Sequence, residues 1–598
     1  MRLVVDIETN GFLDVLTTIH CISACDIDTG TYYNFRPDKI DHGIKLLSEA
    51  DELIAHNGIK FDVPAIQKLY PSFTPKKLID TLVCTRLIWA DIKEYDADLI
   101  RKEILPRKLF GSHSLKAWGY RLKMMKGDYG EQDNAWDVFT EEMLEYCEQD
   151  VRVTVALWNK IVGQNYSQQA LDLEHRVAEI MWQQERNGFV FNEDKADELF
   201  VELAAKRSDI QQSLWSLFTP WVTSLGVQTP KRSVNYRDAL RADRVQDAPF
   251  TAIKIVEFNP GSREHIYHCL AKKYDWEPTQ FTPSGSPKID DEVLQRLPYP
   301  EAKTLAEYFM LQKRLGQLAE GAQGWLKNVK NGKLHGSVMT NGCVTGRASH
   351  TRPNIGQVPS TRAPYGKQCR ELFTVPKGWK LMGADASGLE LRCLGSYMSQ
   401  WDGGAYIKEL LEGDIHTTNQ HAAGLPSRDA SKRFIYAFNY GGGDALIGKL
   451  VGGGAKEGKA IKNRFLEKTP ALKKLREAVT EAAGRGYLIG LDGRHVKIRA
   501  AFTGVNFLLQ SAGAIICKQW LVEFTDEMKA QGYVEGWDAD YCMCAWVHDE
   551  IQVACRADIA EKVGEIAVQT IRRVTEVLNF NCPLDGEYNI GDSWADTH

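Results

Sequence analysis

Three short acidic segments follow one another in the first 150 residues of the chain. Asp6 and Glu8 stand two apart on a predicted buried strand, so a period of two points both carboxylates to the same face. Asp62 occurs in HNGIKFD, where a strand is expected to give way to a helix. Tyr146 and Asp150 are four apart on a predicted helix and are therefore neighbours on one side of it. The three segments could bring four carboxylates and one phenol together.

Carboxylates gathered in this way repel one another, and divalent cations usually compensate the charge. Hard oxygen ligands favour Mg²⁺ or Mn²⁺, and a pair of such ions can activate a water molecule and stabilise a departing oxygen. The chemistry that this predicts is phosphodiester hydrolysis. An Asp-x-Glu pair alone is common, so the hypothesis depends on all three segments occurring in order.

A second candidate set begins with a helix in the last third of the chain. Ser427 is a suitable N-cap, and Arg428, Lys432, Tyr436 and Tyr440 then follow at four-residue intervals until three glycines end the helix. At 3.6 residues per turn these positions form one slowly drifting stripe. Two cations followed by two aromatic rings could hold the phosphates and the base of a nucleotide. From spacing alone, a half-exposed amphipathic helix with packed tyrosines is the alternative.

Acidic residues at predicted strand ends flank this helix in the sequence. Asp385 closes a predicted strand and precedes a turn and a helix that carries Glu390. Asp549 and Glu550 occur between two predicted strands, at the tip of a β-hairpin where a purely structural turn would more often contain Asn-Gly or Asp-Gly. The two exposed carboxylates, Asp385 and Asp549, could bind a pair of Mg²⁺ ions.

The elements that must position these residues predict a mixed α/β protein with several domains. Strands and helices are mixed up to about residue 165, and a polar stretch at 162–168 is a candidate linker. A strongly helical pattern follows over 171–206. Residues 219–260, with several prolines and mixed charge, predict an irregular loop or a flexible tip. The C-terminal third again mixes strands with helices.

Composition narrows the classes of protein that fit. At 598 residues the chain is too long for a single binding module. Thirteen cysteines without a C-x-x-C pair argue against a disulfide framework or a zinc site and favour a reducing cytoplasm. A net charge of −6 gives no overall basic footprint, although residues 428–476 hold twelve Lys or Arg against four Asp or Glu. No apolar run approaches the ~18 residues of a membrane span.

The ordered segments resemble two known families. Asp-x-Glu, HNGIKFD and the Tyr-Cys-Glu-Gln-Asp segment are similar to the 3'-5' proofreading exonucleases of the DEDD superfamily, in its tyrosine variant. DASGLELR, RDASKRFIYAFNYG and VHDE resemble motifs A, B and C of the family A DNA polymerases. TGRASH, PNIGQVP, QCRELF, GDIHT and NFLLQSAGA also resemble this family, most closely the replicative polymerases of short-tailed bacteriophages.

The resemblance implies an RNase H-like exonuclease domain followed by a right-hand polymerase, an α/β multidomain fold. The exonuclease would occupy residues 1–165 and the polymerase residues 166–598. Within the polymerase, the thumb would span about 171–325, the palm about 326–410 and 496–598, and the fingers about 411–495.

The resemblance also implies a role for each acidic residue. In the exonuclease, Tyr146 would orient the attacking water, and two metal ions would be bound by Asp6, Glu8, Asp62 and Asp150. In the polymerase, two catalytic metal ions would be bound by Asp385, Asp549 and the backbone carbonyl of Ala386. Glu550 would lie near these ions as a further candidate ligand.

Nucleotide and DNA contacts follow from the same resemblance. The triphosphate would be held by Arg428, Lys432 and His416, and Lys432 would also protonate the leaving pyrophosphate. Tyr436 would stack on the sugar and Tyr440 near the base, while Glu390 would exclude a 2'-hydroxyl. The residues that would contact the primer-template are Arg347, Arg370, Gln510 and His548, the last beside the primer end.

The implied partners are primer-template DNA, dNTPs and two Mg²⁺ ions in each active site, with Mn²⁺ able to substitute. A processivity factor is compatible with the resemblance. However, residues 220–256 look too short for the long thumb insertion of those phage relatives that bind host thioredoxin, so dependence on thioredoxin is in doubt. A phage-encoded enzyme of this kind would act in the cytoplasm of the bacterial host, away from the membrane.

Three alternatives belong to other classes of protein. A dedicated DEDD exonuclease would leave Asp385, Asp549 and the Arg428 stripe without a purpose. A single-subunit RNA polymerase would share the palm acids and a similar helix, but it would have neither a proofreading domain nor Glu390 as a sugar gate. A non-catalytic DNA-binding protein would require both sets of carboxylates to be structural.

Overall fold

The computed structural model describes residues 1–125, 127, 129–132, 134–235, 243–282, 284–498 and 500–597. The chain divides into two compact units. The first contains Met1–Val190, Lys333–Val358 and Phe373–His598, and the second contains Phe191–Gly332 and Pro359–Leu372.

The strands are numbered in chain order. Their bounds are β1 Arg2–Thr9, β2 Ile19–Asp26, β3 Thr31–Phe35, β4 Glu52–Ala55, β5 Leu78–Asp80, β6 Phe189–Phe191, β7 Trp221–Gln228, β8 Phe250–Val256, β9 Val329–Lys330, β10 Lys333–Leu334, β11 Ser337–Met339, β12 Ser349–Thr351, β13 Phe373–Thr374, β14 Trp379–Ala386, β15 Tyr487–Ile489, β16 His495–Lys497, β17 Tyr541–Val547, β18 Glu550–Arg556 and β19 Gly586–Gly591.

The α-helices are numbered in the same way. Their bounds are α1 Ile40–Glu49, α2 Asp62–Leu69, α3 Thr81–Ile88, α4 Ile92–Arg101, α5 Leu115–Leu122, α6 Glu141–Val162, α7 Gln168–Asn187, α8 Glu193–Leu217, α9 Arg263–Tyr274, α10 Asp291–Arg296, α11 Pro300–Leu315, α12 Trp325–Asn328, α13 Gly366–Arg370, α14 Leu389–Asp402, α15 Ala405–Glu412, α16 Ile415–Ala423, α17 Arg428–Asn439, α18 Asp444–Lys449, α19 Ala455–Lys468, α20 Pro470–Ala483, α21 Gly504–Ala530 and α22 Ala560–Val577.

The N-terminal part of the first unit is built on a five-stranded sheet in the order β3-β2-β1-β4-β5. Strand β1 lies in the middle, antiparallel to β2 and parallel to β4. Leu3, Val5 and Ile7 are buried on one face of β1, so Asp6 and Glu8 lie on the other face, as the period of two predicts. Helix α6, which carries Asp150, packs against β1 and β2.

Helix boundaries in this region follow local signals that the sequence carries. Thr140 caps α6 by accepting from the backbone N–H of Met143, and α6 ends at Val162. Ser167 caps α7 in the same way. The polar stretch at 162–168 separates α6 from α7, and both helices belong to the first compact unit, so its role as a domain linker stays a prediction. The short strand β6 lies between α7 and α8.

The C-terminal part of the first unit contains an antiparallel sheet in the order β17-β18-β14-β19. Helices α21 and α22 pack together, and α22 covers β14 and β19. The apolar core below this sheet includes Met382, Ile551, Val563 and Ile571, all buried. The predicted strands before Asp385 and on both sides of Asp549 are therefore confirmed.

The second unit has its own apolar core, to which α8, α9 and α11 contribute Leu214, Ile266, Leu270 and Leu305. The prediction of an irregular loop at 219–260 is wrong for its two ends, because β7 and β8 pair there as an antiparallel ribbon. Runs such as WVTS and TAIKIV are rich in β-branched residues, which favour strands more strongly than the neighbouring prolines oppose them. The middle of that prediction, residues 236–242, lies outside the described residues.

All thirteen cysteines are free thiols, so the expected absence of a disulfide framework is confirmed. Among the described residues, no helix is long and apolar enough to cross a membrane.

A buried cluster of charged side chains ties α7 to α21 and to the turn between β15 and β16. Glu174 on α7 pairs with Lys518 on α21 and with Arg494, whose Nη1 lies 2.8 Å from Glu174 Oε1. Arg494 also pairs with Asp492 at 2.6 Å, and these four side chains are at most 2% exposed. Burial raises the pKa of Glu174, but Lys518 and Arg494 outweigh this and hold it below its usual range.

We expect Glu174→Gln to destabilise the protein by about 3 to 5 kcal/mol, because it leaves two buried cations facing one remaining anion. Urea unfolding followed by circular dichroism would measure the change. Glu179→Gln on the same helix is the matched control, since Glu179 forms a 43%-exposed pair with Arg176. Its cost should stay below about 1 kcal/mol. Equal effects of the two substitutions would contradict this account of the cluster.

Candidate functional site

The first candidate site forms where β1 meets α6. Oxygen atoms of Asp6 and Glu8 and the sulfur of Cys147 lie within 4.8 Å of one another. Cys147 is buried on α6, three residues before Asp150, and its thiol donates to the backbone oxygen of Asp6 at 3.3 Å. Burial raises the pKa of this thiol, so in the absence of a metal it is protonated and donates to Asp6.

Asp62 joins this site from the first residue of α2 and is buried. Burial raises the pKa of Asp62 to about 7, backbone hydrogen bonds oppose the shift, and the negative charges of Asp80 and Asp150 add to it. Asp80 fixes the loop before Asp62 by accepting from the backbone N–H groups of Asn57 at 2.9 Å and Ile59 at 3.2 Å. Asp62 therefore lies near Asp150 and near Ile7, the residue of β1 between Asp6 and Glu8. Asp80 is a support that the sequence did not reveal.

Tyr146, four residues before Asp150 on α6, borders a cavity of about 500 Å³. Its ring packs near the rings of Tyr129 and Trp136, with centroid distances of 5.8 and 6.0 Å.

An exposed aromatic side chain, Phe12, lies three residues beyond the end of β1 and is 82% exposed. A ring in this position could stack on a nucleic-acid base. The sequence signal was an aromatic residue directly after the acidic strand.

The second candidate site lies at the ends of β14 and the β17–β18 hairpin. In the register of the sheet, Asp385 stands opposite Glu550. His548 and Asp549 form the turn, with His548 at a left-handed φ of 60°. The backbone N–H of Ala386 donates to the backbone oxygen of Asp549 at 3.0 Å, which brings the two predicted metal-binding acids together. Asp385 is exposed and Asp549 is half-buried.

A cavity of about 340 Å³ adjoins these acids. The predicted site residues that line it are Arg347, Glu390, Tyr440, Gln510, His548 and Asp549. Sequence reasoning missed His350, Trp546 and Cys517, which line the same cavity. His350 could have been suspected, because it ends the TGRASH segment that contains Arg347.

Burial dominates the electrostatics of this cavity. It raises the pKa of Asp549, a shift that backbone hydrogen bonds and His548 oppose and the adjacent Glu550 increases. It also raises the pKa of Glu390, against the effect of Arg347 and of the neighbouring polar side chains of Tyr440 and Asn439. Burial lowers the pKa of His350 to about 4, so this imidazole is neutral at physiological pH. Burial disfavours an unpaired charge of either sign in this cavity, so the ionised carboxylates are stabilised when a cation pairs with them.

The predicted stripe lies along α17, which begins at Arg428 as expected and has Tyr440 as its C-cap. Arg428 and Lys432 are exposed, and both lower the pKa of His416 in addition to the larger effect of burial. These three cationic or ionisable side chains therefore form one patch. Arg428 Nε donates to Asp414 Oδ2 at 2.8 Å, a partner that sequence reasoning did not name.

Tyr436 lies between this patch and the acids. Burial raises the pKa of Tyr436, with smaller contributions from the charges of Glu390, Tyr440 and Asp549.

Arg370 belongs to the second unit, where it is buried and its Nε donates to the backbone oxygen of Pro359 at 3.0 Å. Its contact with DNA stays a prediction.

The side chains present fit divalent cations at both places. Asp6 and Glu8 offer converging carboxylate oxygens, supported by Asp62 and Asp150. Asp385 and Asp549 offer two more at adjoining strand ends. Oxygen ligands of this kind suit Mg²⁺ and Mn²⁺ better than soft metals. In each case the raised carboxyl pKa records repulsion and burial that a bound cation would relieve.

Comparison with known proteins agrees with this geometry. The model of DNA polymerase family A matches residues 235–596, and the model of the RNase H superfamily matches residues 3–162. The chain belongs to family A of the DNA polymerases. The polymerase is 41% identical to the DNA-directed DNA polymerase of Enterobacteria phage T3 and 40% identical to that of Escherichia phage T7, in both cases over 706 aligned residues and 100% of each chain.

The fold is also that of a solved polymerase structure. The polymerase superposes on the POL domain of Pol1 from M. smegmatis, solved in complex with DNA primer-template and dNTP, with a TM-score of 0.74 and 17% identity. The match covers 100% of this chain and 96% of that chain, and at this identity it shows the fold alone. The predicted resemblance and fold class are confirmed, and a dedicated exonuclease is the wrong alternative.

Asp62→Asn should stabilise the metal-free polymerase at about pH 8 and have little effect near about pH 4. In the folded state the pKa of Asp62 is about 7, above its value of 3.8 in the unfolded chain. Stability is therefore lost as pH rises through this window, and the amide removes the loss.

Thermal unfolding in EDTA across this pH range would measure the difference, at roughly 2 to 4 °C per kcal/mol. Asp38→Asn, on an exposed turn, is the control. A stabilisation by Asp62→Asn that is independent of pH would contradict the burial of an ionisable Asp62.

Proposed function

We propose that this polymerase extends a DNA primer with dNTPs on a template and removes mispaired 3' nucleotides with its N-terminal domain, as expected of phage genome replication. The observation that carries the proposal is the presence of two separate groups of carboxylates, Asp6 with Glu8 and Asp385 with Asp549. The first group lies in the part of the chain that matches the RNase H superfamily, and the second lies in the part that matches DNA polymerase family A. One group suits hydrolysis and the other suits nucleotidyl transfer. A single-subunit RNA polymerase would not need the first group.

In polymerisation, Asp385, Asp549 and the carbonyl oxygen of Ala386 would hold two Mg²⁺ ions, with Mn²⁺ as a substitute. When bound, such ions activate the primer 3'-hydroxyl and neutralise charge on the transferring phosphate. The 3'-hydroxyl attacks the α-phosphate in line, the bond to the β-phosphate oxygen breaks, and pyrophosphate leaves. His548, at the tip of the hairpin beside Asp549, is suited to contact the primer end.

The incoming nucleotide would lie along α17. Arg428, Lys432 and His416 lie close together and offer N–H donors that suit the triphosphate, which would compete with Asp414 for Arg428. Lys432 can donate a proton to the leaving pyrophosphate. Tyr436, next along the stripe, would stack on the sugar. Glu390 lies in the same cavity as Tyr440, where it would exclude a 2'-hydroxyl while Tyr440 meets the base.

Contacts with the primer-template would come from Arg347 and Gln510 in the cavity and from Arg370 in the second unit. The minor groove offers acceptors at the same positions on every correct base pair, so donors there can test pair shape without reading sequence. Long, donor-bearing side chains such as Arg347 and Gln510 are suited to this task.

Proofreading would use Asp6, Glu8, Asp62 and Asp150 to hold two cations, with Tyr146 orienting the attacking water. The cavity beside Tyr146 is large enough for the terminal nucleotide of a single strand. The proposed domain limits are 1–165 for the exonuclease and 166–598 for the polymerase, with thumb, palm and fingers as the sequence predicts. The proposed site of action is the cytoplasm of a bacterial host.

Substitution of the acids should separate the two activities. Asp385→Asn or Asp549→Asn should reduce primer extension to below about 1% of the parent rate, because losing a metal ligand costs several kcal/mol of transition-state stabilisation. Degradation of a single strand should continue in these variants. The double variant Asp6→Ala with Glu8→Ala should lose single-strand degradation and keep primer extension.

One labelled primer, incubated with Mg²⁺ and either dNTPs, NTPs or no nucleotide, would report both activities. Extension by dNTPs but not NTPs is expected. Near-parental extension in either Asn variant, or extension with NTPs alone, would contradict the proposal.

A processivity factor remains part of the proposal, and β7–β8 supports a protein contact in the second unit. Val222 and Ile255 face each other across this ribbon and are 58% and 68% exposed. The same face carries Val227 and Ile253, which are also exposed. Apolar side chains grouped in this way usually mark a contact surface.

We expect thioredoxin not to change the length of products made in a single binding event, because the segment is short. Extension of a primed circle in the presence of a DNA trap would measure this with and without thioredoxin. If an extract of host cells lengthens the products, Val222→Thr with Ile255→Thr should remove that effect while the ribbon persists. Products that lengthen severalfold with thioredoxin alone would contradict the expectation.

A further inference from the structure

Glu550 follows the predicted metal ligand Asp549 directly, but its carboxylate is engaged elsewhere. It is only 6% exposed. Its Oε1 accepts from the indole N–H of Trp594 at 2.5 Å and from the side-chain amide of Gln552 at 2.6 Å. Two buried donors on one oxygen fix the position of this carboxylate before any cation binds.

Both donors are themselves held in place, Trp594 by its packing and Gln552 by Thr597. The hydroxyl of Thr597 donates to Gln552 Oε1 at 2.9 Å. The ring of Trp594 packs against Phe189 and Phe373, and the backbone N–H of Trp594 donates to the backbone oxygen of Phe373 at 2.9 Å. Residues 594–597 therefore form a fixed support under the hairpin.

Gly383 provides the room for this arrangement. A Cβ at that position of β14 would lie 2.4 Å from the Gln552 amide nitrogen and 2.7 Å from the Thr597 Cβ. Gly383 stands opposite Gln552 in the sheet, two residues before Asp385. Strand β14, which carries Asp385, thus leaves room for the Gln552 and Thr597 side chains that support the hairpin of Asp549.

The register explains why such a support is needed. Asp385 and Glu550 are direct cross-strand neighbours, and like charges in that relation destabilise a sheet. Donors from Trp594 and Gln552 hold the Glu550 carboxylate in a defined, buried position. Because Glu550 is the first residue after the turn, this also fixes the backbone on which Asp549 is mounted.

We propose that Glu550 is a positioning residue and not a metal ligand, and that Trp594, Gln552 and Thr597 set the polymerase's affinity for divalent cations by holding Glu550 and hence Asp549. This inference rests on the proposed function of Asp549. Groups that orient the ligands of a metal typically alter its affinity on the order of 10-fold when they are removed.

Trp594→Phe is the decisive variant, because it removes the indole N–H and keeps an aromatic ring between Phe189 and Phe373. The matched control is Trp520→Phe. Trp520 is fully buried, and its indole N–H donates to the backbone oxygen of Ala567 at 2.8 Å. Both variants lose one buried hydrogen bond, so unfolding temperatures would reveal any difference in stability.

Two measurements use the full chain. The first is the Mg²⁺ concentration that gives half-maximal extension. The second is Mn²⁺ binding followed by electron paramagnetic resonance in a background of Asp6→Ala with Glu8→Ala, which removes the exonuclease ions. For Trp594→Phe we expect both values to rise on the order of 10-fold, with Trp520→Phe unchanged within about 2-fold. Exonuclease activity of Trp594→Phe in the parent background should keep its Mg²⁺ dependence.

Two further comparisons distinguish the proposed positioning role of Glu550 from misfolding of the variants and from direct metal binding by Glu550. Thr597→Val removes only the hydroxyl that holds Gln552, and it should shift the Mg²⁺ requirement in the same direction by a smaller factor. Glu550→Gln should shift it less than Glu550→Ala, because the amide oxygen still accepts from Trp594.

Equal Mg²⁺ requirements in Trp594→Phe and Trp520→Phe would overturn the inference. Equal losses in Glu550→Gln and Glu550→Ala would overturn it as well, since a ligand needs its charge. Failure of the proposed function would look different, because Asp549→Asn would then extend primers normally.

Discussion

Carboxylates that repel one another have to be held side by side at both sites before any cation arrives. At the N-terminal site this is visible in Asp62, whose pKa is raised to about 7 by burial with contributions from Asp80 and Asp150. At the C-terminal site it is visible in Asp549, whose pKa is raised by burial and by Glu550. Neither arrangement is favourable in isolation, so rigid neighbouring structure has to impose it.

The two sites are made rigid in different ways. At the first, β1 is the central strand of its sheet, and Asp80 ties down the loop before Asp62 through backbone N–H groups. At the second, β14 is paired on both sides, and the hairpin turn is closed by a hydrogen bond from Ala386 to Asp549. In each case a strand fixes one acid and a turn or helix end fixes another.

Local periodicity was sufficient to predict the elements that carry the candidate residues. A period of two places Asp6 and Glu8 together, and capping by Ser427 with a four-residue repeat defines α17. These signals lie within a few turns of the residues that they position. The ribbon β7–β8 was missed because prolines and charges around it were weighted above the β-branched runs that form it.

The supporting contacts could not be predicted, because their partners are far apart in sequence. Trp594 and Glu550 are separated by 44 residues, and Glu174 and Lys518 by 344. A buried tryptophan or lysine has no local pattern that names its partner, and only the folded topology brings the two together. The role of a glycine such as Gly383 is also hard to predict from sequence, because it depends on the space that a distant side chain requires.

The distance in sequence between partner residues determines how early each site can form during synthesis. Every acid of the exonuclease site lies between residues 6 and 150, within a sheet and helices that follow one another closely. The site at Asp385 and Asp549 is joined to Trp594 and Thr597, so its hydrogen-bond network cannot form until these residues have been synthesised. Domains tend to fold as units from the N-terminus during synthesis. The site around Asp6 and Glu8 can therefore be assembled first, and the site around Asp385 and Asp549 depends on residues 594–597.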